Sequence, residues 1–407
     1  MRHPDPALLV VLGGVSAALH VGKLAPALPV LSETLGVTLV QAGFLLSLVQ
    51  LAGMTLGLVI GLAADGLGLK RTMVGGLLLL SGASLLGGWA RDPTSLMLLR
   101  AAEGLGFLLA AMPAPSLIRR LVDPARMNIT LGLWGAYMPF GTAMALLFGP
   151  LVIALIGWPG WWWTLAALST AMSAWLWIAL PPDVALSRTR GGMAAQGWAH
   201  RLQQTLSAPG PWLVALSFAM YSAQWLAVIG FLPTMYSQAG LGAAVASGAT
   251  ALAAAVNMIG NIASGRVLQR GARPEFLLYL GFVTMGLAGL VAFAPIWGGT
   301  DPQLAAGLRY AAVLMFSMVG GLIPGTLFSL AVRLAPNDRT VSTTVGWMQQ
   351  CSALGQFAGP PVVAWVAAGA GGWQWSWLVT GGCALAGLGL AALTGGLLAR
   401  RRAAAPA

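Results

Sequence analysis

The stretch Gly61-Leu-Ala-Ala-Asp-Gly-Leu-Gly-Leu-Lys-Arg71, "GLAADGLGLKR", packs one acid and two cations into a glycine-broken turn between two long apolar runs. Its surroundings decide what such a turn is for. Of 407 residues, 58% are hydrophobic and 8% charged, with mean hydropathy +0.81. A soluble globular chain carries roughly 25% charged residues, so this chain cannot coat itself against water. The 55 glycines and 17 tryptophans suit helices that touch closely in lipid and rings that anchor at its surfaces. The chain reads as an integral membrane protein, with the first apolar run a retained helix rather than a signal peptide. Cys351 and Cys383 both fall in apolar runs and fit neither a disulfide framework nor a metal-ligand spacing.

Outward from 61–71, apolar runs of the roughly 20 residues that a helix needs to cross a bilayer recur twelve times. They lie near 7–31, 40–64, 72–90, 94–118, 128–154, 161–181, 211–236, 243–267, 275–296, 303–331, 341–366 and 375–399. The expected fold is therefore all-α: a six-helix bundle over 1–181, a linker over 182–210 and a second six-helix bundle over 211–407. In the linker, Trp198, Leu202 and Leu206 recur every fourth residue, as on a short helix lying at the membrane surface; a plain loop is the other reading. With both termini inside, the inner segments collect Arg2, Lys70, Arg71, Arg119, Arg120, Arg126, Arg188, Arg190, Arg201, Arg266, Arg270, Arg273, Arg333, Arg339 and Arg400 to Arg402, against Arg91 outside. The positive-inside rule then predicts a multi-pass protein of the inner membrane with both termini cytoplasmic. The net charge of +11 follows from the same partition. Cations so scattered form no nucleic-acid face.

The two halves repeat. Pro29 and Gly36 match Pro233 and Gly240 at a shift of 204 (233 − 29, 240 − 36), and the same shift carries Gly61 onto Gly265. A shift of 209 carries Arg100 onto Arg309 and Pro115 onto Pro324, and one of 210 carries Gly149-Pro150 onto Gly359-Pro360. "GW" recurs at 157–158 and 372–373.

With this duplication in view, the opening stretch resembles the signature G-x-x-x-D-[RK]-x-G-[RK]-[RK] of the major facilitator superfamily. Gly61, Asp65, Gly68 and Lys70 match it, while Gly66 and Leu69 depart from it. The counterpart "GRVLQRGAR" (265–273) keeps Gly265, Arg270 and Arg273 but has Gln269 in place of the acid. "RAAEGLG" (100–106) is similar to the family's arginine motif in span four. The resemblance covers essentially the whole chain. It implies two pseudo-symmetric bundles with a substrate site between them near mid-membrane. It also implies gating by Asp65 with Gly61, Gly68, Lys70 and Arg270, and a monomer. Span five lacks the fuller glycine spacing of drug-exporting antiporters, and span eleven, with Gly346, Gly355, Gly359 and Pro360, comes closer to it.

Lys23 stands inside span one, in "HVGKLAPALP" (20–29). A charge there costs roughly 2.5–3.5 kcal/mol on insertion scales, so it calls for a watery cavity or a partner. Snorkelling is the alternative, but Lys23 lies about 12 Å below the outer end at 1.5 Å per residue. Arg100 and Arg309 sit about 9 Å below the outer ends of spans four and ten by the same rise. The resemblance puts spans one, four, seven and ten around the cavity. On that basis Lys23, Arg100 and Arg309 are expected to ring an anion site, with His20 on the face of Lys23. Gln224, Tyr221 and Trp225 stand across the pseudo-axis and Asn257 on span eight. Arg100 has a second reading, in which it bonds backbone and Glu103, three residues on. Asn257 and Asn261 either line the cavity or bond between helices. In span two, Gly53, Gly57 and Gly61 mark a close-packing face. Glu103 and His20 are the candidates for proton coupling. The span-one pattern is similar to that of the cyanate and nitroimidazole permease branch.

The functional expectation is a secondary active transporter taking up a small organic or inorganic anion with protons, without cofactor or metal. The competing expectation is a proton-antiport exporter of drugs or metabolites. No nucleophile–base set or nucleotide-binding loop supports an enzyme or an ATP-driven pump.

Overall fold

The computed structural model describes residues 5–123, 130, 133–183, 198–337 and 340–404, leaving aside the side chains of 61–67, 198 and 342. Among the described residues the ordered elements are helices. Span one runs Pro6–Leu35, span two Leu39–Ile60, span three Leu69–Gly87 and span four Pro93–Leu121. Tyr137–Ala179 is one long run holding spans five and six. It breaks at Gly157, whose φ of 75° lies in the left-handed region that a side chain disfavours. Spans seven to ten are Pro209–Gln238, Ala243–Gln269, Pro274–Phe293 and Pro302–Leu334. Span eleven is Val341–Gly369. Gln349, Gln350 and Gln356 make it more polar than its neighbours. Span twelve closes the chain at Trp373–Ala403. The twelve expected spans are present.

Short sequence signals set the helix ends. Asp5-Pro6, Asp92-Pro93 and Asp301-Pro302 each start a span, with the carboxylate accepting from Ala7 N (3.0 Å), Ser95 N (2.9 Å) and Leu304 N (2.9 Å). An Asp cap followed by Pro satisfies the orphan N–H groups and presets the first turn. Bonds from Ser95 hold the exposed Asp92 carboxyl below the usual carboxylate value. The repeat has a backbone basis too: Gly36 and Gly240, matched by the 204 shift, end spans one and seven with φ of 65° and 88°.

Spans one and seven are the most enclosed, 78% and 83% buried over their apolar windows, against 28% for span twelve. They sit at the centre, with span twelve at the rim. Small residues let helices close up within and between the bundles. Inside the second bundle a Cβ on Gly355 would strike the Ala219 carbonyl of span seven; between the bundles, one on Gly53 would stand 2.9 Å from Ala353 of span eleven. The span-two glycines Gly53 and Gly57 both face span eleven, the close-packing role their spacing implies. Polar ties cross the same seam. Gln50 Nε2 donates to Gln356 Oε1 (3.0 Å), while the Gln350 amide donates to Met54 O (2.8 Å) and accepts from Leu58 N (3.0 Å).

Beyond span six, a helix at Trp198–Ser207 packs by Leu206 O on Trp212 and by Gln204 on Asn337, so it leans on the second half. Residues 184–197 lie outside the described set.

Candidate functional site

A cavity of about 950 Å³ empty volume, counting its open mouth, lies where the halves meet. The first half supplies Gln50, Gly53, Phe107, Met112, Trp134, Tyr137 and Met138; the second supplies Phe218, Tyr221, Trp225, Asn257, Phe328, Gln349 and Gln356. The late residues of spans four and ten and the first turns of span five put it toward the face that bears the termini. Its walls are rings: Trp134 stacks on Tyr137 at 4.1 Å, and Phe218 meets Tyr221 at 6.1 Å and Phe328 at 5.9 Å. Its polar groups are amides and hydroxyls. Asn257 Nδ2 donates to Ser317 O (2.7 Å) and to the Tyr221 hydroxyl (3.0 Å), and Trp225 Nε1 donates to Ser317 Oγ (3.1 Å). Asn257 thus lines the cavity and bonds between helices at once, and Asn261 Nδ2 holds its side-chain oxygen at 2.9 Å. No Lys, Arg, Asp or Glu is among the described lining residues.

The expected ring of cations around the cavity does not assemble. Lys23 and Arg100, 0% and 1% exposed, point into the first bundle and converge on Glu103. Lys23 Nζ donates to Glu103 Oε1 at 2.5 Å and to Ser84 Oγ at 2.9 Å, faces His20 Nδ1 at 3.4 Å, and stands 4.6 Å from the Trp162 ring centroid. Arg100 Nη1 bonds Glu103 Oε2 (2.6 Å) and His20 O (2.6 Å), and its Nε donates to Leu45 O (3.1 Å). The physical reason is neutralisation, since a buried cation needs a carboxylate and further bonds. Local sequence prepares the spot. Pro26 has no N–H for the Gly22 carbonyl, and span one breaks at Lys23 into Pro6–Gly22 and Leu24–Leu35. Arg309 is exposed on span ten, away from this cluster, with no partner among the described residues. His20 is fully buried on Ser169 (2.9 Å). Gln224 is fully buried too, donating to Met220 O (3.2 Å) and leaving Oε1 without a partner. Tyr221, Trp225 and Asn257 reach the cavity.

Of the gating set, Gly61 and Asp65 have side chains outside the described residues. Lys70 Nζ donates to Leu180 O (2.6 Å) and lies 5.0 Å from the Trp177 ring, at the end of span six. Asp183 accepts from Lys70 N (2.9 Å) and Arg71 N (3.2 Å) and so caps span three just after Gly68. Arg270 is exposed at the end of span eight. Sequence reading missed Asp183, the serines Ser84 beside Lys23 and Ser169 beside His20, and the cavity glutamines. Of these, the glutamines carried a signal, being polar residues within apolar spans.

A family model described as Major Facilitator Superfamily matches residues 10–360. A puromycin resistance protein, pur8 of Streptomyces alboniger, is 34% identical over 152 residues, which are 37% of this chain and 29% of that protein. The chain thus spans less than a third of that relative's length. Two structures of a bacterial homologue of the human lysosomal transporter Spinster share the fold at 16% identity. The inward-facing, occupied form has TM-score 0.76 and covers 96% of both chains. The inward-facing, unoccupied form has TM-score 0.79 and covers 97% of this chain and 98% of its own.

Proposed function

The chain belongs to the major facilitator superfamily, and from that premise we propose that it is a proton-coupled exporter of flat, amphipathic, uncharged or weakly cationic molecules. The uncharged aromatic lining of the shared cavity carries this reading. Rings offer faces to a flat ligand and to a diffuse positive charge, and a few amides orient it. A carrier built to take up anions would put cations on that wall, so the anion-uptake expectation is not carried forward. The puromycin resistance protein, matched over part of its length, supports the direction and the ligand type.

In this reading the two bundles rock about the bound molecule, exposing the cavity to one side at a time. Tyr221, Trp225 and Asn257 contact the ligand. The buried cluster of Glu103, His20 and Lys23 couples protons from within the first bundle. The 61–71 loop gates, with Gly61, Asp65, Gly68 and Lys70 acting against Arg270 of the second half. The carrier works as a monomer in the inner membrane with both termini cytoplasmic.

Everted membrane vesicles from cells making the protein supply the test. Puromycin should accumulate in them under an acid-inside gradient and leak out when an uncoupler collapses it. Vesicles that ignore puromycin and related amphiphiles but move carboxylates or cyanate would overturn the export reading.

A further inference from the structure

The polar groups around Lys23 form a row with a direction. The Ser84 hydroxyl donates to the Trp162 carbonyl (2.9 Å), so it presents a lone pair to the Lys23 ammonium. Glu103 Oε1 takes a second N–H and His20 Nδ1 faces the third. With Nδ1 accepting, the His20 ring carries its hydrogen on Nε2, 2.9 Å from Ser169 Oγ, and Ser169 meets Ser16 Oγ at 3.1 Å. Every member is buried. Ser16 lies seven residues before Lys23, about 10 Å along span one toward the face that bears the termini.

Charge singles out one member. Arg100 and Glu103 neutralise each other, and a guanidinium keeps its proton. The remaining Arg100 donors go to the carbonyls of Leu45, His20 and Val21, so Glu103 stays countered whatever Lys23 does. The groups facing Lys23 are His20 on span one, Ser84 on span three, Arg100 and Glu103 on span four, and Trp162 on span six; Ser169 of span six stands behind His20. The cluster therefore holds one cation more than it has anions, and that cation is Lys23.

We propose that the coupled proton rides on Lys23 and travels through His20, Ser169 and Ser16, while Glu103 remains ionised throughout; this rests on the proton-coupled reading above. On release, a Lys23 N–H bond breaks and its electron pair stays on nitrogen as the amine lone pair. Nδ1 of His20 gains that proton as Nε2 gives its own to Ser169, which passes its hydroxyl proton to Ser16, and Ser16 passes one to water. The amine keeps two N–H bonds, one for Glu103 and one for Ser84. Uptake reverses each transfer.

The test needs no substrate. The purified full-length protein in lipid nanodiscs is taken from neutral to alkaline pH while a dye counts released protons and an infrared difference spectrum reports protonated carboxyls. Lys23→Met should release one proton fewer per chain than the wild type, with no carboxyl band from Glu103 in either protein. Ser169→Ala should release the wild-type number roughly tenfold more slowly. Equal proton counts in wild type and Lys23→Met, or a wild-type carboxyl band that vanishes in Glu103→Gln, would overturn the assignment. An unchanged release rate in Ser169→Ala would overturn the relay. If Lys23→Met melts early, the wild-type infrared band decides alone. Failure to move puromycin would sink the export reading and leave this titration readable.

Discussion

Arg100 and Arg309 stand 209 residues apart at matching places in the two halves, one 1% exposed and the other exposed on span ten. Three residues on, the first half has Glu103 and the second has Ala312; at the shift of 204, Lys23 faces Ala227. The arginine that has a carboxylate one turn along is drawn inside and spends its donors on three carbonyls. The arginine without one stays where solvent or headgroups can reach it. A duplicated chain can thus keep a residue and lose its environment. The difference also separates two tasks: among the described residues buried charge lies in the first bundle, and the cavity shared by both bundles is lined by rings and amides.

The sharpest way to break this comparison is to remove the carboxylate. Glu103→Ala strands two buried cations and should cost about 3–5 kcal/mol, seen as early thermal unfolding in detergent. A variant that melts with the wild type would mean that burial of Arg100 does not depend on its acid. Next comes the cavity. Trp225→Ala should weaken puromycin binding about tenfold, the ~1.4 kcal/mol of a lost aromatic contact, read well below the lowered melting point that emptying a buried site brings. Unaltered affinity in a calorimetric titration would remove Trp225 from the ligand's surroundings. Lys23→Met leaves the Arg100–Glu103 pair intact, so stability should shift by less than about 1 kcal/mol, while transport driven by a pH gradient is lost and substrate exchange persists. Gradient-driven accumulation by this variant would show that the first-bundle charge is idle. Smallest of all, Arg309→Ala should change stability by no more than about 0.5 kcal/mol. A large drop in melting or binding would restore the symmetry that the geometry denies.

Why part of this was legible in the sequence, and part not, follows from geometry. Length and hydropathy locate spans because a bilayer imposes a minimum apolar run. The paired turns at Gly36 and Gly240 could be found because left-handed backbone selects glycine in both halves. The Arg100–Glu103 pair was visible because a helix places residues three apart on one face. Lys23 departs from the expected ring for a specific reason. Counting residues gives the depth of a side chain in the membrane but not its bearing around the helix axis, and Lys23 at a fitting depth turns into the bundle. Its other neighbours, Ser84 and Trp162, come from spans 61 or more residues away, as does Ser169 behind His20. No local pattern foretells them. Tyr221, Trp225 and Asn257 were reachable because the repeat projected them across the axis, whereas Trp134 and Tyr137 look like any interfacial rings.

Gln350 has an asymmetric hold on span two. Its amide reads main-chain atoms, the carbonyl of Met54 and the N–H of Leu58, instead of side chains. Substitution at Met54 or Leu58 leaves both atoms in place, proline at 58 excepted, so mutational drift on that side cannot loosen the tie. Its strength is adjustable from one partner alone, and a lineage tuning how readily the halves part could do so by changing position 350.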